Sequence, residues 1–237
     1  MCTCVGARFK IPWMTRSRRS EPQDTSFGAL EREVLSAIAR HPDCAPRAGV
    51  IHVGSHRQEE RHFYATGLNV DPDRILWVDA NESLCAQHPG TVNAVLADVV
   101  GKEVDFIVTN NDGMSSSILE LGLHASEYPE CVETSRSRKT TTTLDVLVND
   151  TLKMRSDAFD YLAMDVQGAE LLVLTGAEEV LCHVNMVVTE ISIVELYVGC
   201  CLLSDITDFL GKRGFVRESV VMETPTWGNA VFVRAFE

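Results

Sequence analysis

The segment Asp160-Tyr-Leu-Ala-Met-Asp165-Val-Gln-Gly168-Ala-Glu170 constrains the fold more than any other part of the chain. An apolar run ends in an acid, a glycine follows three positions later, and an amphipathic stretch from Leu171 to Leu181 continues from there. This predicts a buried strand that delivers Asp165 to its carboxyl end, followed by a tight turn into a helix. Ligands of open α/β sheets bind at the carboxyl ends of the strands. A carboxylate there is costly to bury without a partner, so Asp165 marks a candidate active site. A second strand of the same kind, Met186-Val-Val-Thr-Glu190, follows closely.

The rest of the chain repeats the alternation of strands and helices. Thr25 or Ser26 is placed to cap a helix running to Arg40, with Leu30, Val34, Leu35 and Ile38 at helical spacing and His41-Pro42 stopping it. Strands are predicted at Gly49–Gly54, Arg74–Asp79, Val92–Ala97, Glu103–Thr109, Phe159–Val166 and Asn185–Glu190, with a polar helix over Arg57–Gly67 and a short one over Thr143–Asn149. Residues 110 to 143 are polar and weakly periodic, which reads as a long insertion or lid. Ser204 is placed to cap a helix to Lys212. Phe215–Met222 and Ala230–Arg234 form a hairpin around Pro225, Trp227 and Gly228. Alternating strands and helices imply a mostly parallel sheet with helices on both faces, and the hairpin adds one antiparallel strand. The chain reads as one domain over 25–237 behind a basic segment at 1–24.

Charge narrows the function. The net charge is −13, yet the first twenty residues hold Arg8, Lys10, Arg16, Arg18 and Arg19 and no acid. The remainder carries 16 basic against 34 acidic residues, which disfavours nucleic acid as a partner. The basic segment reads either as a solvated tail or as an Arg-rich, acid-free organellar targeting segment. No apolar run reaches the roughly 20 residues of a membrane span. Eight cysteines without a repeated C-x-x-C pattern suggest a reduced, cytoplasmic protein with no zinc site. His52 and His56, though four apart, straddle a strand-to-loop transition, so no metal is expected there.

Seven landmarks in order take the reading further: Ile51-His-Val-Gly-Ser-His56, Leu76-Trp-Val-Asp-Ala-Asn81, Asn110-Asn-Asp-Gly-Met-Ser-Ser-Ser-Ile118, Met164-Asp-Val-Gln-Gly-Ala-Glu-Leu171, Thr189-Glu190, Glu195-Leu-Tyr-Val-Gly-Cys200 and Trp227-Gly-Asn-Ala230. On these the chain resembles the FkbM-type methyltransferases over residues 49 to 235. The resemblance implies a class I methyltransferase (Rossmann-like) fold, S-adenosylmethionine as cofactor, and O-methylation of a small-molecule or glycan hydroxyl. It implies cofactor contacts from His52, Gly54, Ser55, His56, Asp79, Ala80 and Asp98. Asp79 would take the ribose hydroxyls, by the logic of the acid in a dinucleotide site, and Gly54 would admit close approach of the cofactor. Asp165, then Glu190, are the candidate bases, with His124 the alternative. Asn111, Ser115 and Ser116 would meet the acceptor.

Two rival readings stand beside this one. Arg57 and Gln58 stand where the family typically has a further glycine, which motivates a catalytically silent binding or scaffold protein. A nicotinamide-dependent oxidoreductase is disfavoured because G-x-G-x-x-G is missing after the first strand.

Overall fold

The computed structural model describes residues 28–236. The basic amino-terminal segment, Thr25 and Ser26 lie outside them. The chain opens with α1 (Ala29–Arg40), whose start is set by Gly28, its amide bound by the Glu31 carboxylate. His41 closes the helix before Pro42.

Ten strands follow among the described residues: β1 (Val50–Val53), β2 (Ile75–Asp79), β3 (Thr91–Asn93), β4 (Val95–Leu96), β5 (Glu103–Thr109), β6 (Glu133–Thr142), β7 (Tyr161–Met164), β8 (Met186–Ser192), β9 (Phe215–Met222) and β10 (Trp227–Arg234). The short helix α2 (Glu82–Gln87), capped by the Asn81 side chain, lies between β2 and β3, and α3 (His124–Glu127) lies between β5 and β6. Seven of the strands make one sheet in the order β3-β2-β1-β7-β8-β10-β9. Every pairing from β3 to β8 is parallel, and only β10 runs against its neighbours. Chain direction switches sides at β1, which pairs with β2 through Val53↔Val78 and with β7 through Val53↔Met164. Such a switch point opens a crevice at the carboxyl edge.

Both faces of the sheet are covered, so the central strands are apolar without alternation, as buried parallel strands must be. Ile51, Leu162 and Val187 pack on one side against α4 (Glu170–Thr175), α5 (Glu178–Leu181) and α6 (Leu203–Gly211). Val50, Tyr161 and Val188 pack on the other side against α1 and the aromatic pair Phe63 and Tyr64. Among the described residues no helix is long and apolar enough to cross a membrane.

Several sequence expectations change. The expected strand Val92–Ala97 is split at Ala94: β3 stays in the main sheet, while β4 leaves it for a second sheet, β4-β6-β5. Within the expected insertion lies the ten-residue strand β6, antiparallel to β5. It has almost no apolar face to reveal it, because backbone ladder bonds and surface charge hold it. Asp105 sits opposite Arg138, 3.0 Å away, and Arg136 reaches both Glu120 and Glu133.

The expected helix over Arg57–Gly67 shrinks to a single wide turn at Phe63–Gly67. His56 and Gln58 before it adopt left-handed backbone, φ 42° and 59°. The helix expected from Leu171 breaks at Gly176, where a Cβ would meet the Ala97 carbonyl oxygen at 2.2 Å. At α6, Leu202 is the cap residue rather than Ser204, and its amide donates to Asp205 at 2.8 Å. The hairpin turn falls at residues 223–226, so Trp227 and Gly228 begin β10.

Candidate active site

A cavity of about 530 Å³ opens at the carboxyl ends of β1, β2, β7 and β8. The loop from Asp112 to Ile118 roofs it, and Leu196, Tyr197 and Trp227 close one side.

On the β1 side, Gly54 has φ 78°, and a Cβ there would sit 1.8 Å from the Asp165 carbonyl oxygen. Glycine is therefore required by the crossing of two strand ends, a reason the sequence does not disclose. Ser55 is buried, and its hydroxyl has no partner among the described residues. The His56 amide donates to Asp79 Oδ2 at 2.8 Å, and the Asn81 amide donates to Oδ1 at 2.7 Å. Asp79 thus holds the two loops together while lining the cavity. Burial raises its pKa against the pull of those two amides. Burial also opposes charge on the His56 ring, but the Glu59 carboxylate 2.7 Å away outweighs it, and the pKa lies above the ordinary value.

The neighbouring Gln58 explains how a non-glycine loop is accommodated. Its side chain is buried, donating to Thr91 Oγ1 at 2.8 Å and accepting from Arg61. Those bonds offset the strain of its left-handed backbone.

His52 points into the aromatic layer between Tyr64 and Trp77, its Nδ1 2.8 Å from the Tyr64 hydroxyl. Burial pushes its pKa down to about 4, so it is neutral. Burial also pushes Glu60 up to about 8. With His52 neutral, their 3.7 Å approach is not an ion pair.

Asp165 stands on the floor, its carboxylate open to the cavity though ringed by protein. Glu190, at 6% exposure, hydrogen-bonds to it. Burial raises both pKa values, and the Asp165 charge drives Glu190 well above the carboxylate range. The pair therefore retains a proton at neutral pH, because two carboxylates in contact resist double ionisation. Gln167 Nε2 donates to Asp165 Oδ1 at 2.6 Å and to Glu190 Oε2 at 2.8 Å. The Tyr197 hydroxyl donates to Gln167 Oε1 at 2.5 Å. Glu170, buried behind the turn, accepts from the Val166 and Gly168 amides at 3.1 Å each, and burial lifts its pKa to about 7.

His124 starts α3 and packs between the rings of Tyr128 and Tyr197. Its Nε2 lies 3.2 Å from Ser115 Oγ, Nδ1 has no partner among the described residues, and burial lowers its pKa.

The structure brings most of the sequence-derived candidates to one cavity: His52, Gly54, Ser55, His56, Asp79, Ala80, Ser115, Ser116, His124, Asp165 and Glu190 all line it. Two do not. Asp98 is exposed in the turn after β4, since the chain has already left the main sheet, and Ala94, Val95 and Leu96 line the cavity in its stead. Asn111 stands behind the roof, accepting from Thr109 Oγ1 at 2.7 Å and donating to Ser115 Oγ at 2.9 Å. Sequence reasoning did not place Gln167, Tyr197 or Trp227 in the site. Gln167 and Tyr197 lay inside quoted landmarks, but nothing in their spacing signals that they meet.

A seven-stranded sheet in this order, with one antiparallel strand next to the last and a carboxylate-floored cavity at the switch point, defines a class I methyltransferase fold. The Methyltransferase FkbM domain family matches residues 49–217, and the chain belongs to it. S-adenosylmethionine is the cofactor of this family. Among curated relatives, the 2-O-methyltransferase NoeI of Sinorhizobium fredii (strain NBRC 101917 / NGR234) is 35% identical over 120 residues. That stretch spans 45% of this chain and 45% of the relative, under half of either protein. Among solved structures, magnesium protoporphyrin IX methyltransferase (ChlM) from Synechocystis PCC 6803 with bound SAM overlaps 87% of this chain and 78% of its own, at 11% identity and a TM-score of 0.42. The same enzyme with bound SAH overlaps 90% of each chain at 10% identity and a TM-score of 0.40. Both superpositions are loose.

Proposed function

We propose that this chain is an S-adenosylmethionine-dependent O-methyltransferase acting on a hydroxyl of a small molecule or glycan. The observation that supports it most is the Asp165–Glu190 pair, bridged by Gln167 Nε2 at 2.6 and 2.8 Å and open to the cavity on the Asp165 side.

The cavity suits the cofactor's chemistry. The negative charge of its wall comes from Glu59, Asp79 and Asp165, while Glu190 holds a proton and Arg57 is committed to Asp112 at 3.1 Å. A wall of that sign attracts a cationic ligand such as a sulfonium. The buried Ser55 hydroxyl, without a partner among the described residues, is a further polar group open to a ligand. In this reading Gly54, Ser55, His56 and Ala80 surround the cofactor, and Asp79 uses its remaining lone pairs for the ribose hydroxyls. Neutral His52 lines the same side.

When bound, S-adenosylmethionine supplies an electrophilic methyl group. The protein's share is to position the acceptor and receive its proton. Asp165, ionised and facing the cavity, accepts the hydroxyl proton, and Glu190 remains its protonated partner. Ser115 and Ser116 on the roof, with neutral His124, offer hydrogen bonds to the acceptor.

Calorimetric titration with S-adenosylmethionine and S-adenosylhomocysteine, with NAD as control, is the first test. Micromolar binding of both sulfur nucleotides and none of NAD is the expected result. Labelled-methyl transfer to a panel of hydroxylated acceptors then tests the chemistry. Failure of both sulfur nucleotides to bind would overturn the enzyme reading in favour of a silent scaffold.

A further inference from the structure

Gln167 sits where three elements of the site converge. It follows Asp165 in the turn after β7, faces Glu190 of β8, and touches Tyr197 in the segment after β8. Its backbone is left-handed, φ 55°, a conformation that non-glycine residues seldom adopt. The surroundings hold it there. The Ser117 hydroxyl of the roof donates to the Gln167 carbonyl at 2.8 Å. Gly168 beside it has φ 95°, and a Cβ there would come within 3.2 Å of the Tyr197 side chain. Strain retained at such a point calls for a functional reason.

The amide end supplies one. Because the Tyr197 hydroxyl donates to Oε1, the two N–H groups of Gln167 must face the carboxyls. A flipped amide would set its carbonyl oxygen against at least one ionised carboxylate. Each N–H is committed to one acid, so Asp165 Oδ1 and Glu190 Oε2 are both held as acceptors. The shared proton is thereby confined to the contact between the two acids, and the cavity side of Asp165 is left free to accept.

We infer that Gln167, oriented by Tyr197, is a positioning residue that keeps Asp165 ionised toward the cavity and the shared proton on the Asp165–Glu190 contact. The inference extends the reading of Asp165 as proton acceptor and rests on it. Other charged or titratable groups face the pair from every side: His56, Glu59 and Glu60 from the loop after β1, Asp79 from β2, Glu170 from α4, and Tyr197 itself. Gln167 is distinguished from them by donating to both acids at once.

The test needs neither cofactor nor acceptor. The carbonyl stretch of the protonated carboxyl is followed by infrared difference spectroscopy across a pH titration. Wild type, Gln167→Met and Tyr197→Phe are each compared with the same protein carrying Glu190→Gln, which removes the signals of Glu60 and Glu170 from the difference. In wild type the band should persist above the ordinary carboxylate range. Loss of the two donors in Gln167→Met should move its midpoint upward by a pH unit or more, a tenfold change in proton affinity. Tyr197→Phe should move it the same way by less, and it serves alone if Gln167→Met does not fold. An unmoved midpoint in a folded variant overturns the inference. Titration of wild type with S-adenosylhomocysteine is read separately, so a protein that shows the shift yet binds no cofactor refutes only the methyltransferase reading.

Discussion

At the scale of single residues, the site is built by groups that do two jobs. Gly54 lines the cavity, but the Asp165 carbonyl is what forbids a side chain there. Gly54→Ala should therefore destabilise the fold by at least about 3 kcal/mol through the combined clash and left-handed strain, read as a drop in denaturant midpoint. Asp79 is likewise split between the His56 and Asn81 amides and the ligand side of the cavity. Since hydrogen bonds to a charged group contribute about 1.5–3 kcal/mol each, Asp79→Ala should weaken S-adenosylhomocysteine binding by a few kcal/mol and lower the melting temperature as well. Unchanged affinity would remove Asp79 from the cofactor site. Asp165→Asn should cut turnover far more than cofactor affinity, and equal losses in both would point to a structural role. Gly54, Asp79, Asp165 and Glu190 were legible as candidates because expected strand ends announce themselves in sequence, whereas His52 entered through the family resemblance alone. Gln167 and Tyr197 were not legible, since their meeting depends on how a loop folds back from β8.

At the scale of elements, the two sheets differ in what holds them. β7 and β8 are buried along their whole length. β6 is exposed over most of its ten residues and lies outside the apolar core. Hydrogen exchange followed by mass spectrometry should show the β5–β6 amides exchanging well before those of β7 and β8, because local opening there exposes little apolar surface. Comparable protection in the two sheets would refute this division. The same contrast explains which elements the sequence revealed. The buried parallel strands appeared as apolar runs, and β5 as an alternation. A strand stabilised by ladder bonds and cross-strand charge has neither signature, so β6 read as loop.

At the scale of the whole molecule, a cavity floored and walled by acids links stability to pH. Burial raises Glu170 to about 7, and it raises Asp165 and Glu190 as well. The folded state therefore holds protons that the unfolded chain has already released. That stability is present at low pH and is lost as pH rises through the folded values. His52, lowered to about 4, acts in the opposite sense, but its contribution is complete above about pH 6.5. The melting temperature should consequently fall between about pH 6.5 and 9. Glu170→Gln, which keeps an acceptor for the Val166 and Gly168 amides, should flatten that fall by just under about 1 kcal/mol. Most of the roughly 3 kcal/mol linked to Glu170 is already lost between its ordinary value of 4.5 and about pH 6.5. A melting temperature that rises over this window would show that the buried acids ionise freely in the folded protein.

The sequence by itself determined the alternation of strands and helices, the antiparallel end of the sheet, and the acids at the ends of β2 and β7 and inside β8, which runs two residues past Glu190 to Ser192. Each of these follows from local rules of burial, period and chain reversal. Tertiary structure alone decided the strand order, the departure of β4 from the main sheet that leaves Asp98 outside the cavity, and the contact of Asp165, Gln167, Glu190 and Tyr197. Those depend on residues distant in the chain being brought together, from Val50 and Tyr161 where β1 meets β7 to Gln167 and Tyr197 across a loop, and no local pattern encodes such a meeting.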